Sequence, residues 1–168
     1  MRITGVGLFA LAALAGACRS PDPRTVAEVA DKETYWAIDQ AQGERQFIAP
    51  VVRFTVHSTA GKPLRTLEAQ ATFRRKGEDA IWSSAWTKVT GPGGAPLAPG
   101  GHSLVVLKPE GEGRYFTNGP AESMFSHAQF LDANVDVFLR IGSSPWTKFF
   151  NADVERRIGS RSVQAGAP

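Results

Sequence analysis

Leu67-Glu68-Ala69-Gln70-Ala71-Thr72-Phe73-Arg74 decides the reading of this chain. Leu67, Ala69, Ala71 and Phe73 alternate with Glu68, Gln70, Thr72 and Arg74, so apolar and polar side chains change places at every residue. Only a strand has that period: one face is buried and the other is wet. The same alternation recurs on both sides. Upstream, Val52, Phe54 and Val56 alternate with Arg53, Thr55 and His57. Downstream, Val135, Val137 and Leu139 alternate with Asn134, Asp136, Phe138 and Arg140.

Further strands are expected near 35–41, 80–89, 102–108, 114–117 and 146–150, beside 51–57, 66–74 and 129–141. Turn sequences separate them: Ala60-Gly61-Lys62-Pro63, Lys76-Gly77-Glu78-Asp79, Gly91-Pro92-Gly93-Gly94 and Gly142-Ser143-Ser144-Pro145. No long helical crossover separates the strands, so neighbours should pair antiparallel. Seven or eight short strands predict an all-β, immunoglobulin-like β-sandwich, with a small closed β-barrel as the alternative. In Pro96-Leu97-Ala98-Pro99-Gly100-Gly101-His102, a Leu-x-Pro-Gly turn feeds the strand that follows. It resembles a feature of bacterial immunoglobulin-like domains, including small lipoprotein modules of the FxLYD kind, although the FxLYD string itself is absent. The resemblance spans about a dozen residues and implies the fold alone.

Length and composition fit one such domain. The chain has 168 residues, of which 42% are hydrophobic and 21% charged, and 17 Gly and 11 Pro favour turns over long helices. An excess of 19 Lys and Arg over 16 Asp and Glu is too small to argue for nucleic-acid binding. The one cysteine, Cys18, cannot make an internal disulfide.

Residues 1–18, MRITGVGLFALAALAGAC, hold a basic Arg2, an apolar run from Val6 to Leu14, and the small residues Ala15-Gly16-Ala17 directly before Cys18. The run is too short to span a membrane as a helix. Leu14-Ala15-Gly16-Ala17-Cys18 resembles the lipobox of bacterial lipoproteins, with Ala15 where the pattern usually has Leu. The resemblance implies cleavage before Cys18 and acylation of that cysteine, so that the membrane is one partner. Arg19-Ser20 lack the aspartate that retains such proteins in an inner membrane, which points to the outer membrane facing the periplasm; the cell surface or secretion is the alternative. The expected organisation is a signal peptide at 1–17, a lipidated Cys18 and tether at 18–34, a sandwich at 35–158 and a flexible tail at 159–168. Thr25 and Glu28 have capping-box spacing, which fits a short helix at 26–33 as well as a disordered linker does.

Chemistry-bearing constellations are sparse. His57, His102 and His127 stand 45 and 25 residues apart, without the close pairing of a zinc motif, so no metal site and no cofactor are expected. No serine sits in a Gly-x-Ser-x-Gly elbow, and trios built on Ser103 or Ser126 with Asp132 are the kind any β domain offers. Glu122, Asp132 and Asp136 have no spacing that marks a glycosidase pair. The clusters Arg74-Arg75-Lys76 and Arg156-Arg157 with Arg161 are read as solvated, with anionic headgroups as the functional alternative. Trp82 and Trp86, four apart with Ser84 between them and so expected on one strand face, and Met124 and Phe125 in the long loop 118–128 are the candidate binding residues. Trp146, Phe149 and Phe150 form a second aromatic group. No catalytic residue is assigned. The leading expectation is a non-enzymatic, lipid-anchored module that binds or scaffolds an envelope protein or glycan. An envelope hydrolase using carboxylate or His, and a carrier of a small apolar ligand, are the alternatives.

Overall fold

A computed structural model describes residues 21–42 and 45–159. Cys18, residues 1–17 where a signal peptide is expected, and Arg161 lie outside the described residues. Eight strands follow in order: β1 (Ala27–Gln42), β2 (Arg45–Ser58), β3 (Leu67–Arg75), β4 (Ser83–Lys88), β5 (His102–Leu107), β6 (Tyr115–Thr117), β7 (Ala133–Ile141) and β8 (Thr147–Asp153). They build two antiparallel sheets. The first has the order β1-β2-β5, with β6 pairing β2 beyond the end of β5; the second has the order β4-β3-β7-β8. The sheets do not close into a barrel. The chain is an all-β sandwich of immunoglobulin-like order, in which β4 pairs with β3.

The period-two pattern does what it implies. Leu67, Ala69, Ala71 and Phe73 of β3 and Ala133, Val135, Val137, Leu139 and Ile141 of β7 face Val52, Phe54 and Val56 of β2, and all are buried. Between these faces lies one core, in which Trp36, Phe54 and Phe73 are fully buried. Burying a side chain of this size contributes about 2–3 kcal/mol each, which is how the sandwich holds without a disulfide.

The segment 26–33 is not a helix. The Thr25/Glu28 spacing caps no helix; a single 3-10 turn, Pro23–Thr25, precedes the segment, with the Asp22 carboxylate accepting from the Arg24 N–H at 2.9 Å. From Ala27 onward the chain pairs with β2, Ala27 opposite Ser58 and Val29 opposite Val56. Two isolated helical turns gain too little to offset nucleation, whereas a strand here gains a ladder along β2. The local conflict is absorbed at a bulge between Ala30 and Glu33, where Asp31 takes φ 49°.

The C-terminal end of the described chain returns to β1. Trp36 N–H donates to Arg157 O at 2.9 Å, and Gly159 N–H donates to Trp36 O at 2.8 Å. Residues up to Gly159 are therefore stitched to the sheet.

Gly113 shows how tightly the loop before β6 packs. Its φ is 74°, and a Cβ there would fall 2.2 Å from Cβ of Ser83, which opens β4. Gly111, with φ 81°, has open space around it. Gly113→Ala should cost about 2–4 kcal/mol in urea unfolding and Gly111→Ala about 1 kcal/mol, because both suffer the left-handed backbone but only the first also clashes.

Candidate functional site

The long loop after β6 is an ordered structure. The Thr117 Oγ1 accepts from the Gly119 N–H at 3.2 Å, and the Ser123 hydroxyl donates to Pro120 O at 2.7 Å. Ala121–Ser126 then form a 3-10 turn, closed where the His127 N–H donates to Met124 O at 3.0 Å. Ala121 and Met124 point inward. Phe125 and Phe130 pack edge-on to Trp36, at ring separations of 6.5 and 5.2 Å. Tyr115 lies 5.7 Å from Trp36, and its hydroxyl both donates to Leu131 O and accepts from the Leu131 N–H. An aromatic hub centred on Trp36 thus fixes the loop to the end of the sandwich.

Between β6 and this loop opens a cleft of about 740 Å³. Its apolar surface comes from Tyr115, Phe116 and the buried Met124. Its polar groups come from Arg75, Arg114, Thr117, Asn118, His127 and Gln129. Phe116 stands 59% exposed at the rim. Both arginines are already engaged. Arg75 reaches Glu78 at 2.8 Å, and Arg114 reaches Asp39 at 2.7 Å. Arg75 is matched by Glu78, while Arg114 shares the Asp39 carboxylate with Lys108, so the cleft offers hydrogen bonds, aromatic surface and a partly compensated cation.

The structure separates the two tryptophans that alternation placed together. β4 begins at Ser83, so Trp82 lies before the strand and turns to the hub, 5.0 Å from Tyr115 and 6.3 Å from Trp36. Trp86 is 63% exposed on the outer face of the second sheet, opposite Gln70. Ile81, which also precedes β4, is exposed. Met124 is buried and Phe125 half-buried, so neither protrudes from the loop. Phe116 and Trp36 were not singled out from sequence. For Phe116 a signal existed, since alternation in Tyr115-Phe116-Thr117 must turn one aromatic outward. Of the second aromatic group, Phe150 packs edge-on to Phe54 at 5.6 Å, and Trp146 lies under the Arg140 guanidinium at 4.4 Å.

The basic clusters are paired with carboxylates. Arg74 Nη1 donates to Asp136 at 2.9 Å, Lys76 meets Asp153 at 2.9 Å, and Arg156 grips Asp132 through two bonds of 2.7 and 2.9 Å. Arg75 and Arg157, the other described members of these clusters, pair with Glu78 and Glu155. These contacts also bear on the acids. Burial opposes the charged form of Asp136, but hydrogen bonds from Lys148 and Asn151 and the nearby Lys148 and Arg74 charges outweigh it and hold the carboxyl below its usual range. The hydrogen bond from Arg156 does the same for Asp132. A general acid needs the opposite displacement.

Both depressed acids stabilise the fold when ionised. The unfolded chain binds protons first, so that stability is present above about pH 5 and is lost as pH falls through the folded-state values. Asp136→Asn should cost about 1–2 kcal/mol at neutral pH. It should also flatten the loss of stability below about pH 4, read from urea midpoints at successive pH values.

The histidines divide. His127 borders the cleft, its Nδ1 accepting from the Gln129 N–H at 3.2 Å, whereas His57 and His102 lie side by side on neighbouring strands, with ring centroids 5.8 Å apart. Among the described residues no group of three or more His, Cys, Asp or Glu side chains is placed to hold a metal ion.

The sequence matches no protein-family profile and no curated protein. Among solved structures, the chain is similar to the X-ray structure of Northeast Structural Genomics Consortium target SoR45, at 9% sequence identity and a TM-score of 0.38, covering 88% of this chain and 96% of that one.

Proposed function

We propose that the chain is a lipid-anchored envelope module that binds a protein or glycan partner through the cleft between β6 and the Ala121–Ser126 turn. One observation carries this reading. A cleft of about 740 Å³, in which Tyr115, Phe116 and Met124 are interspersed with the polar side chains of Arg75, Arg114, Thr117, Asn118, His127 and Gln129, is set at one end of the sandwich. Ligand sites have that size, and a lining this rich in hydrogen-bonding groups suits a polar partner such as a glycan or a peptide backbone. Loops held by a β framework are a common place for them. The exposed Phe116 ring offers a flat apolar face for a sugar ring or an apolar side chain, and Asn118 and Gln129 offer donors and acceptors beside it. The lipobox supplies the address: acyl chains on Cys18 place the domain at a membrane, in reach of envelope partners.

The reading is tested by capture from envelope membranes solubilised in mild detergent, using the full-length acylated chain as bait. Wild-type protein should enrich one dominant partner or glycan fraction. Phe116→Ala combined with Gln129→Ala should cut that capture by about tenfold, equivalent to about 1.4 kcal/mol, while the melting curve stays unchanged. Equal capture by the double variant, or no enrichment by wild type, refutes the assignment of the cleft.

A further inference from the structure

β2 and β5 pair antiparallel with His57 opposite His102. Both rings stand on the outer face of the first sheet, since the flanking Val56 and Ser58 are buried in the sandwich. His102 is exposed and His57 half-buried. Their planes are inclined by 37°. The backbone beside them is clamped: Ser58 N–H donates to Gly101 O at 2.8 Å, and Ser58 O accepts from the Gly100 N–H at 3.0 Å. The pair is therefore presented from a fixed register of two strands. On the other side of His57, β1 places the exposed Glu28 directly across, so a carboxylate shares the row.

The spacing suits a chelate. An imidazole nitrogen binds a late first-row metal at about 2.0–2.1 Å, which puts each ring centroid about 3.2 Å from the ion. Two rings on one ion then have centroids about 4.5 Å apart at a right angle and about 5.2 Å apart at the tetrahedral angle. The observed 5.8 Å exceeds these by about 1.3 and about 0.6 Å, a closure that small side-chain rotations supply within ordinary rotamer wells.

We propose that His57 and His102 form a two-histidine site for a late first-row divalent metal ion on the outer face of the first sheet. Imidazole donors favour Cu²⁺, Ni²⁺ and Zn²⁺, and the general affinity order makes Cu²⁺ the tightest. Two protein ligands leave the remaining positions to water, so the ion is exchangeable and does not serve as a closed structural centre. The site is separate from the cleft and independent of any partner bound there.

The test is titration of the metal-stripped, full-length chain with Cu²⁺, and separately with Zn²⁺, beside His57→Gln, His102→Gln and the double variant. Circular dichroism checks that all four are folded. Once one imidazole is bound the second acts intramolecularly, so each single substitution should weaken Cu²⁺ binding by about tenfold or more. The double substitution should remove the one-per-chain event. Electron paramagnetic resonance should find two imidazole nitrogens on Cu²⁺ in wild type and one in each single variant. Binding that persists in the double variant overturns the proposal, as does a wild-type chain that shows no saturable binding at concentrations up to about 0.1 mM.

Discussion

Trp36→Ala is expected to lower stability by about 3–5 kcal/mol and the melting temperature by about 10–20 °C. The side chain is fully buried, and four other aromatic residues, Trp82, Tyr115, Phe125 and Phe130, have ring centroids within 6.5 Å of it. Truncation leaves a cavity that a rigid sheet on one side cannot collapse to fill. Trp36→Phe should cost much less, about 1–2 kcal/mol. The reason is specific: the buried indole Nε1 has no hydrogen-bond partner, so phenylalanine removes packing area without orphaning a polar group. The ratio between the two variants is the informative quantity. A Trp36→Phe loss as large as that of Trp36→Ala would mean that the indole N–H has a partner, such as a bound water. Urea unfolding of both variants measures it. Because the loop 118–128 rests on this hub, Trp36→Ala should also loosen the cleft. Amide exchange at Met124 and His127 should then accelerate before the sheets do.

What was legible in the sequence follows from how local each signal is. The alternation in β2, β3 and β7 depends on each strand's own residues, and it gave both the strands and their buried faces. The turn at Lys76-Gly77 was legible for the same reason, since Gly77 takes φ 84°. The start of β1 was not. Ala27-Glu28-Val29-Ala30 carries helix-forming residues and a cap signal, and only the distant β2 ladder overrides them. Trp36 escaped notice because it sits in Tyr35-Trp36-Ala37-Ile38, an apolar run without alternation, from which no buried face can be read. Trp82 and Trp86 were placed on one face by counting in twos across a point where the strand had not yet begun. Contacts between distant elements were invisible in kind: Asp39 with Arg114, Asp132 with Arg156, and His57 beside His102 depend on strand register, which no short window encodes.

Cys18→Ala is expected to move the protein from the membrane pellet to the soluble fraction, with a fall of at least about tenfold in membrane-associated protein. The argument is arithmetic. Each buried CH₂ contributes about 0.8 kcal/mol, and a single myristoyl chain binds with an association constant of only about 10⁴ M⁻¹, so stable anchoring requires two or more chains on the same residue. The two basic clusters are poor substitutes for them, because Arg74, Lys76 and Arg156 are engaged by Asp136, Asp153 and Asp132. Clusters engaged in this way attract anionic headgroups weakly, and salt screens the attraction of the remaining surface cations. Two controls separate this anchor from electrostatic adsorption. Wild-type protein should stay in the pellet through a 1 M salt wash, in which the screening length is about 3 Å, and should be released by detergent. Intact-mass measurement should find the chain beginning at Cys18 and heavier than the polypeptide by its acyl groups. An unmodified Cys18 thiol, or a Cys18→Ala variant that remains in the pellet after the salt wash, would remove the membrane address and with it the envelope partners on which the proposed function rests.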